Sequence, residues 1–188
     1  MSDGRVRDDF DEIARLSGTR GGNRYDRFLV QLVPGHARAV LDVGCGLGRL
    51  AAALVASNRT VTGLDLSPEM IDRARRRGEA GGSLLFRCGS FLEMEFPPEG
   101  FDCVVSAAAL HHMPMEAAVE RMVGLVRPGG TLVIHDLRSD SGVLDRAGTA
   151  AAGWRTASNV SSGAAASSKN GRCGRHGRGM AQASVISR

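Results

Sequence analysis

An apolar run ending in three glycines within five residues, LDVGCGLGRL at 41–50, constrains this chain more than any other feature. RAVLDV, 38–43, reads as a short buried strand, and a helical pattern from Gly48 to Ser57 follows it directly. Strand, glycine turn and helix in that order belong to an α/β sheet, where glycines let a ligand meet bare backbone. Two details narrow the ligand. A dinucleotide fingerprint, G-x-G-x-x-G, needs its third glycine where Arg49 stands; here Gly44 and Gly46 are followed by Gly48, one position early. Asp42 lies two residues before Gly44, and a phosphate is a poor neighbour for that carboxylate. A ligand without phosphates and with positive charge suits it, directly or through water.

The alternation continues downstream. TVTGLDL (60–66), LLFRC (84–88), FDCVVSA (101–107) and TLVIHDL (131–137) read as four further strands. Between them, SPEMIDRARRRGEAGG opens a helix with Ser67 as N-cap and Pro68 at the first helical position, and Gly81-Gly82 stops it. Glu69–Arg73 and Asp72–Arg76 have the spacing of ion pairs on its wet face. Pro114 to Val126 is another helix, leading through the turn RPGG to the fifth strand, and residues 8–33 hold one or two helices ahead of the sheet. The expected fold is α/β, a doubly wound, mainly parallel sheet of about five strands with helices on both faces. In such sheets ligands bind beyond the carboxyl ends of the strands, where strand order reverses.

Four segments in the right order carry a family resemblance. LDVGCGLGRLA, GLDLSPEMIDRAR, FDCVVSAAALHHM and LVRPGGTLVIHDL resemble the motifs of class I S-adenosylmethionine-dependent methyltransferases of the small-molecule type, and RYDRFL upstream is similar to such enzymes too. The resemblance covers residues 38–137 and implies S-adenosyl-L-methionine as methyl donor, with a small-molecule acceptor. That ligand carries a sulfonium and an α-ammonium group, the positive charge Asp42 asks for. By resemblance, Gly44 and Gly46, with Cys45 between them, bring the loop backbone against the methionine part. Asp65 should accept from both ribose hydroxyls, and Leu66 and Met70 should touch adenine or ribose. The family usually has an aspartate after the third strand; here Ser90 stands there, followed by Phe91, so the charge-assisted bond to the adenine amino group is lost. Ser106 and Ala107 should line the methionine end. A nicotinamide-dependent oxidoreductase, using NAD(P), is the competing reading, disfavoured by Arg49.

His111 and His112 follow the fourth strand, and His135 and Asp136 end the fifth. One of them, with His112 and His135 as candidates, could deprotonate an acceptor hydroxyl or amine, although methyl transfer from a sulfonium needs little beyond positioning. Packed histidines are the plainer expectation. Adjacent histidines on an extended segment point opposite ways, which argues against a metal site. RARRR (73–77), interleaved with Glu69, Asp72 and Glu79, reads as a solvated face, not a nucleic-acid patch.

The net charge of +4 hides two materials. Residues 1–140 hold 17 Arg and 19 Asp plus Glu, giving −2, while residues 141–188 hold seven basic residues and one acid, Asp145, giving +6. The expected organisation is a helical segment at 1–37, a cofactor-binding domain at 38–140, and a low-complexity basic tail at 141–188. The tail has no sustained apolar period and is expected to be disordered. The family's last two strands are therefore expected to be missing, leaving the fifth strand an open edge. Arg-rich, Lys-free coding up to residue 140 suggests a shifted reading frame near 140–150; a genuine tail that contacts nucleic acid or an acidic partner is the alternative. Loss of those strands would also suit a folded cofactor-binding remnant with little catalysis. No apolar run is long enough for a membrane span, the polar N-terminus is unlike a secretory signal, and four cysteines without C-x-x-C spacing suggest a reducing cytoplasm.

Overall fold

The computed structural model describes residues 3–16, 24–78, 82–137, 155–160 and 181–187. In chain order the elements are α1 (Asp3–Leu16), α2 (Arg24–Leu32), β1 (Ala39–Val43), α3 (Arg49–Val55), β2 (Thr60–Asp65), α4 (Pro68–Arg77), β3 (Leu84–Cys88), β4 (Phe101–Ala107), a 3-10 turn (Leu110–His112), α5 (Met115–Leu125), β5 (Val126–Leu137), β6 (Arg155–Val160) and β7 (Ala181–Ser187). The strands form one sheet in the order β3-β2-β1-β4-β5-β7-β6. From β3 to β5 every pairing is parallel.

Alternation along each strand divides the core in two. Val40 on β1, Val61 on β2, Phe86 on β3, Val105 on β4 and Val133 on β5 pack with α2, α3 and α4, through Leu29, Leu54 and Ile71. Their neighbours Leu41, Val104, Leu132 and Ile134 face α5, through Val119 and Met122. Both faces are covered, which is why the strands read as nearly continuous Val/Leu runs. α4 starts as its sequence requires: Met70 N–H donates to the Ser67 hydroxyl at 3.0 Å, and Pro68 takes the first turn. Its wet face pairs differently from the expected spacing, through Glu69–Arg76 at 3.7 Å and Asp72–Arg75 at 4.0 Å, and it ends at Arg77, before the Gly-Gly stop. RPGG is not a separate turn but an irregular stretch inside β5, where the register with β4 breaks between Phe101 and Cys103. Asp102 fixes that corner, accepting from the Arg38 and Ala39 N–H groups at 2.6 and 2.9 Å and pairing with Arg127 at 2.5 Å.

The expectation that no strand follows Leu137 is corrected. β7 runs antiparallel to β5, with Val133 opposite Val185 and Leu137 opposite Ala181, and β6 runs antiparallel to β7. The physical reason is the one that made their absence costly: β5 would otherwise present a row of unpaired backbone groups. In sequence AQASVIS does alternate, Ala181, Ala183 and Val185 with Gln182 and Ser184 between them, a signal hidden by the Ala/Gly/Ser-rich surroundings. Of the expected disordered tail, 141–154, 161–180 and 188 lie outside the described residues, as do 138–140 and Glu79, Ala80 and Gly81.

The chain enters at β1, works outward to β3, then crosses back to β4 on the other side of β1. Loops leaving β1 and β4 therefore diverge, and the gap between them is where a ligand fits.

Candidate cofactor and acceptor site

A cavity of about 340 Å³ occupies that gap. The first loop forms its floor. Gly44 has φ 74°, and a Cβ there would lie 2.2 Å from the Ala109 Cβ, so only glycine lets the β1 and β4 loops approach this closely. Gly48, φ 70°, sits against the Phe86 ring, where a Cβ would come within 2.5 Å. It does the close-packing work of a third fingerprint glycine, one position early. Arg49, which displaces that glycine, lines the cavity and reaches Asp26 of α2 at 3.9 Å.

Asp65, at the end of β2, is braced from both sides. Gly46 N–H donates to one of its carboxylate oxygens at 2.8 Å and Ser67 N–H to the other at 3.0 Å. Each oxygen keeps a lone pair for a ligand hydroxyl. Burial raises the Asp65 pKa from its ordinary 3.8, while the N–H groups of Ser67, Gly46 and Leu66 pull it back. Asp42 is more extreme. It is fully buried, its Oδ2 has no hydrogen-bond partner, and desolvation, then Asp65 and Asp26, push its pKa up to about 7. A buried, unpartnered carboxylate oxygen at a cavity wall is expensive unless a donor or cation meets it. Cys45 beside it is buried, and its thiol is pushed well above the usual range, first by desolvation and then by Asp42 and Asp65, so it is no nucleophile.

Of the expected cofactor residues, Asp42, Gly44, Cys45 and Gly46 of the first loop line the cavity, with Asp65, Leu66 and Met70 after β2. Ser90 and Phe91 after β3 and Ala107 at the end of β4 line it as well. Ser106 does not: it is buried, and its hydroxyl donates to the Val43 carbonyl at 2.9 Å, stapling β4 to β1. The two candidate histidines separate. His112 lines the cavity; His135 does not. Strand alternation is the cause, since His135 shares a face with Val133 while Asp136 shares the opposite face with Ile134. It is Asp136 that meets the β4 loop, at 2.6 Å from His111 Nδ1. Among the described residues no cluster of His, Cys, Asp and Glu could hold a metal ion.

Sequence reasoning missed the third carboxylate, Asp26, and the whole roof. Val6, Phe10 and Ile13 of α1 line the cavity, and Asp11 of the same helix accepts from the Ser67 hydroxyl and from Glu69 N–H at the start of α4. The signal was present in DFDEI, an amphipathic stretch, but nothing local says which surface it covers.

The parallel sheet with its switch point, a glycine loop after β1 and a half-buried acid closing β2 make an α/β domain with a ligand-sized cavity at the carboxyl ends of its strands. Residues 40–130 match the family described as "Methyltransferase domain". An uncharacterised methyltransferase of Mycobacterium tuberculosis is 42% identical over 111 residues, covering 58% of this chain and 56% of that protein. The ubiquinone biosynthesis O-methyltransferase of Xylella fastidiosa is 36% identical over 113 residues, covering 58% and 46%. Among solved structures, an S-adenosylmethionine-dependent methyltransferase from Mesorhizobium loti superposes with TM-score 0.54 at 28% identity, over 60% of this chain and 53% of that one. The chain spans about half the length of the curated relatives it matches.

Proposed function

We propose that the protein transfers a methyl group from S-adenosylmethionine to a small-molecule acceptor. The observation that carries this reading is the buried Asp42 Oδ2, which has no hydrogen-bond partner among protein groups and belongs to a residue lining the cavity. A cation lowers the cost of that carboxylate; a phosphate raises it. The residues fit the donor in its other parts as well. Asp65, pre-aimed by Gly46 and Ser67, would hold the ribose diol, and the bare backbone of Gly44 and Gly46 would admit the methionine arm. Leu66, Met70 and Phe91 supply apolar cover for the base, and Ser90 offers one neutral hydrogen bond in place of a charge-assisted one. Ala107 borders the methionine end. When bound, the donor supplies an electrophilic methyl carbon; the protein's share is to position it, exclude water and stabilise its charge through Asp42.

Calorimetry with S-adenosylhomocysteine and with NAD tests this directly. The expected result is binding of the first, loss of at least tenfold in affinity on Asp65→Ala, and no binding of NAD. A folded protein that ignores millimolar S-adenosylhomocysteine, or binds NAD instead, overturns it. The described cysteines Cys45, Cys88 and Cys103 are all free thiols, which supports placement in a reducing cytoplasm.

A further inference from the structure

After β4 the chain forms a tightly held clip. Ala108 takes a left-handed backbone, φ 55°, and its N–H donates to the His135 carbonyl at 2.7 Å. In the turn that follows, Asp136 grips His111 twice: Oδ1 meets Nδ1 at 2.6 Å, and Oδ2 accepts the backbone N–H at 3.2 Å. With His111 tied back to β5, the next side chain, His112, is directed into the cavity. Its ring stands edge-on to Phe10 of α1 with centroids 4.8 Å apart, and lies 3.9 Å from the His111 ring.

Charge is divided across this cavity. Asp26, Asp42, Cys45, Arg49 and Asp65 belong to α2, β1, β2 and the loop and helix after β1. On the β4 flank the only titratable side chain among the described lining residues is His112. Around it lie Phe10, Ile13, Ala109, Met113 and Pro114. Among the described lining residues of this flank a cationic acceptor meets no carboxylate, and an anionic one meets no guanidinium. Resting on the methyl-transfer reading above, we propose that His112 is the acid/base residue for a neutral, apolar acceptor bearing an acidic hydroxyl, a phenol or an enol.

The step balances without a further reagent. The acceptor O–H bond gives its proton to the free imidazole nitrogen of His112 while its oxygen forms the bond to the methyl carbon. The carbon–sulfur bond breaks with its electron pair going to sulfur, S-adenosylhomocysteine leaves with a neutral thioether, and His112 is left as imidazolium until it returns the proton to water. The groups around His112 suit both halves. Desolvation first, then His111, hold its pKa below 6.5, so it enters neutral; Asp136 of β5 and Asp9 of α1 act in the opposite sense and favour the imidazolium once formed.

The test uses the full chain with S-adenosylmethionine at about pH 8 and three probes: phenol and catechol, mostly un-ionised there, and para-nitrophenol, largely ionised. His112→Gln should lower turnover of phenol and catechol by about 100-fold or more while para-nitrophenol loses less than tenfold. Calorimetric affinity for S-adenosylhomocysteine should stay within about threefold, which also shows that the variant is folded. In the wild-type protein carrying S-adenosylhomocysteine, saturation with para-nitrophenol should raise the NMR titration midpoint of the His112 ring by about one pH unit. Equal losses on ionised and un-ionised probes, no loss on either, or an unmoved midpoint would each overturn the role of His112. Binding of S-adenosylhomocysteine with no methylation of any probe overturns the acceptor class alone. Failure of wild-type protein to bind S-adenosylhomocysteine removes the methyl-transfer reading instead, and calorimetry separates that outcome from the others.

Discussion

Asp42 concentrates the tension in this molecule. Its carboxyl has an ordinary value of 3.8 and is raised to about 7 in the fold. The sign follows from linkage. Below the ordinary value both folded and unfolded chains carry it protonated, and it costs nothing. As pH rises from about 4, the unfolded chain ionises freely while the fold holds the proton, so stability falls until about pH 7 and is level above that. Asp42→Asn should therefore melt like wild type near pH 4 and be more stable above pH 7, by on the order of 4 kcal/mol, in thermal scans without ligand. The same variant should lose affinity for S-adenosylhomocysteine, whose ammonium no longer meets a charge. An Asn variant less stable than wild type at pH 8 would mean that the carboxylate is already satisfied. Gly44 makes a second residue-scale test. Alanine there must adopt φ 74° and overlap Ala109, so Gly44→Ala should cost about 2–3 kcal/mol in chemical denaturation and force the two loops apart. Both positions could be read from the sequence, because a glycine loop and an acid two residues ahead are local facts. The unpartnered Oδ2 could not, since it depends on what β4 and α2 bring against it.

At the scale of elements, α1 was the least legible. A helical pattern across 8–33 was readable, but amphipathicity names a buried face and not its partner. In the structure the partner is α4 and the cavity, and the fastening is Asp11, which accepts from the Ser67 hydroxyl while Ser67 itself caps Met70 N–H. Two helices are thus tied through one serine, and the tied residues are the chain neighbours of Phe10 and Leu66, which line the site. Removing the tie should act on closure more than on the core. Asp11→Ala is expected to weaken S-adenosylhomocysteine binding by about threefold to tenfold, mostly through faster release, and to speed amide exchange in α1. Asp11→Asn, which keeps an acceptor oxygen, should lie close to wild type. If alanine leaves release rate and exchange unchanged, α1 is held by its apolar contacts and the serine tie is incidental. The separation of His112 from His135 belongs to this scale too. Both follow strands, and sequence placed both in one crevice; strand alternation, fixed by the register of β5 on β4, sends His135 to the face it shares with Val133.

At the scale of the whole molecule, the five parallel strands were readable one by one, because each is buried on both faces and needs an apolar run. The two that complete the sheet were not. β7 lies beyond β5 and β6 forms the far edge, and such strands are specified by pairing more than by apolar content. Their segments are short and sit in a stretch whose composition argues for disorder, so the decisive term is the open edge of β5, a property of the assembled sheet. This makes the contribution of β7 measurable. It is an interior strand, paired on both sides, and Val185 lies opposite Val133 on β5 and Ala157 on β6. Proline at 185 can supply no ladder N–H. Val185→Pro should cost on the order of 2–3 kcal/mol and uncover β5, turning a concentration-independent melt into one with concentration-dependent association. Val185→Thr, which keeps a β-branched residue and the N–H, serves as the control and should melt and sediment like wild type. Because His135 and Asp136 lie on the β5 stretch that β7 covers, the proline variant should also release the His111 clip, seen as loss of the His111 ring shift in NMR before the sheet itself melts. If Val185→Pro melts and sediments like wild type, β5 is protected by something other than β7, and the seven-stranded sheet is not what holds the molecule in solution.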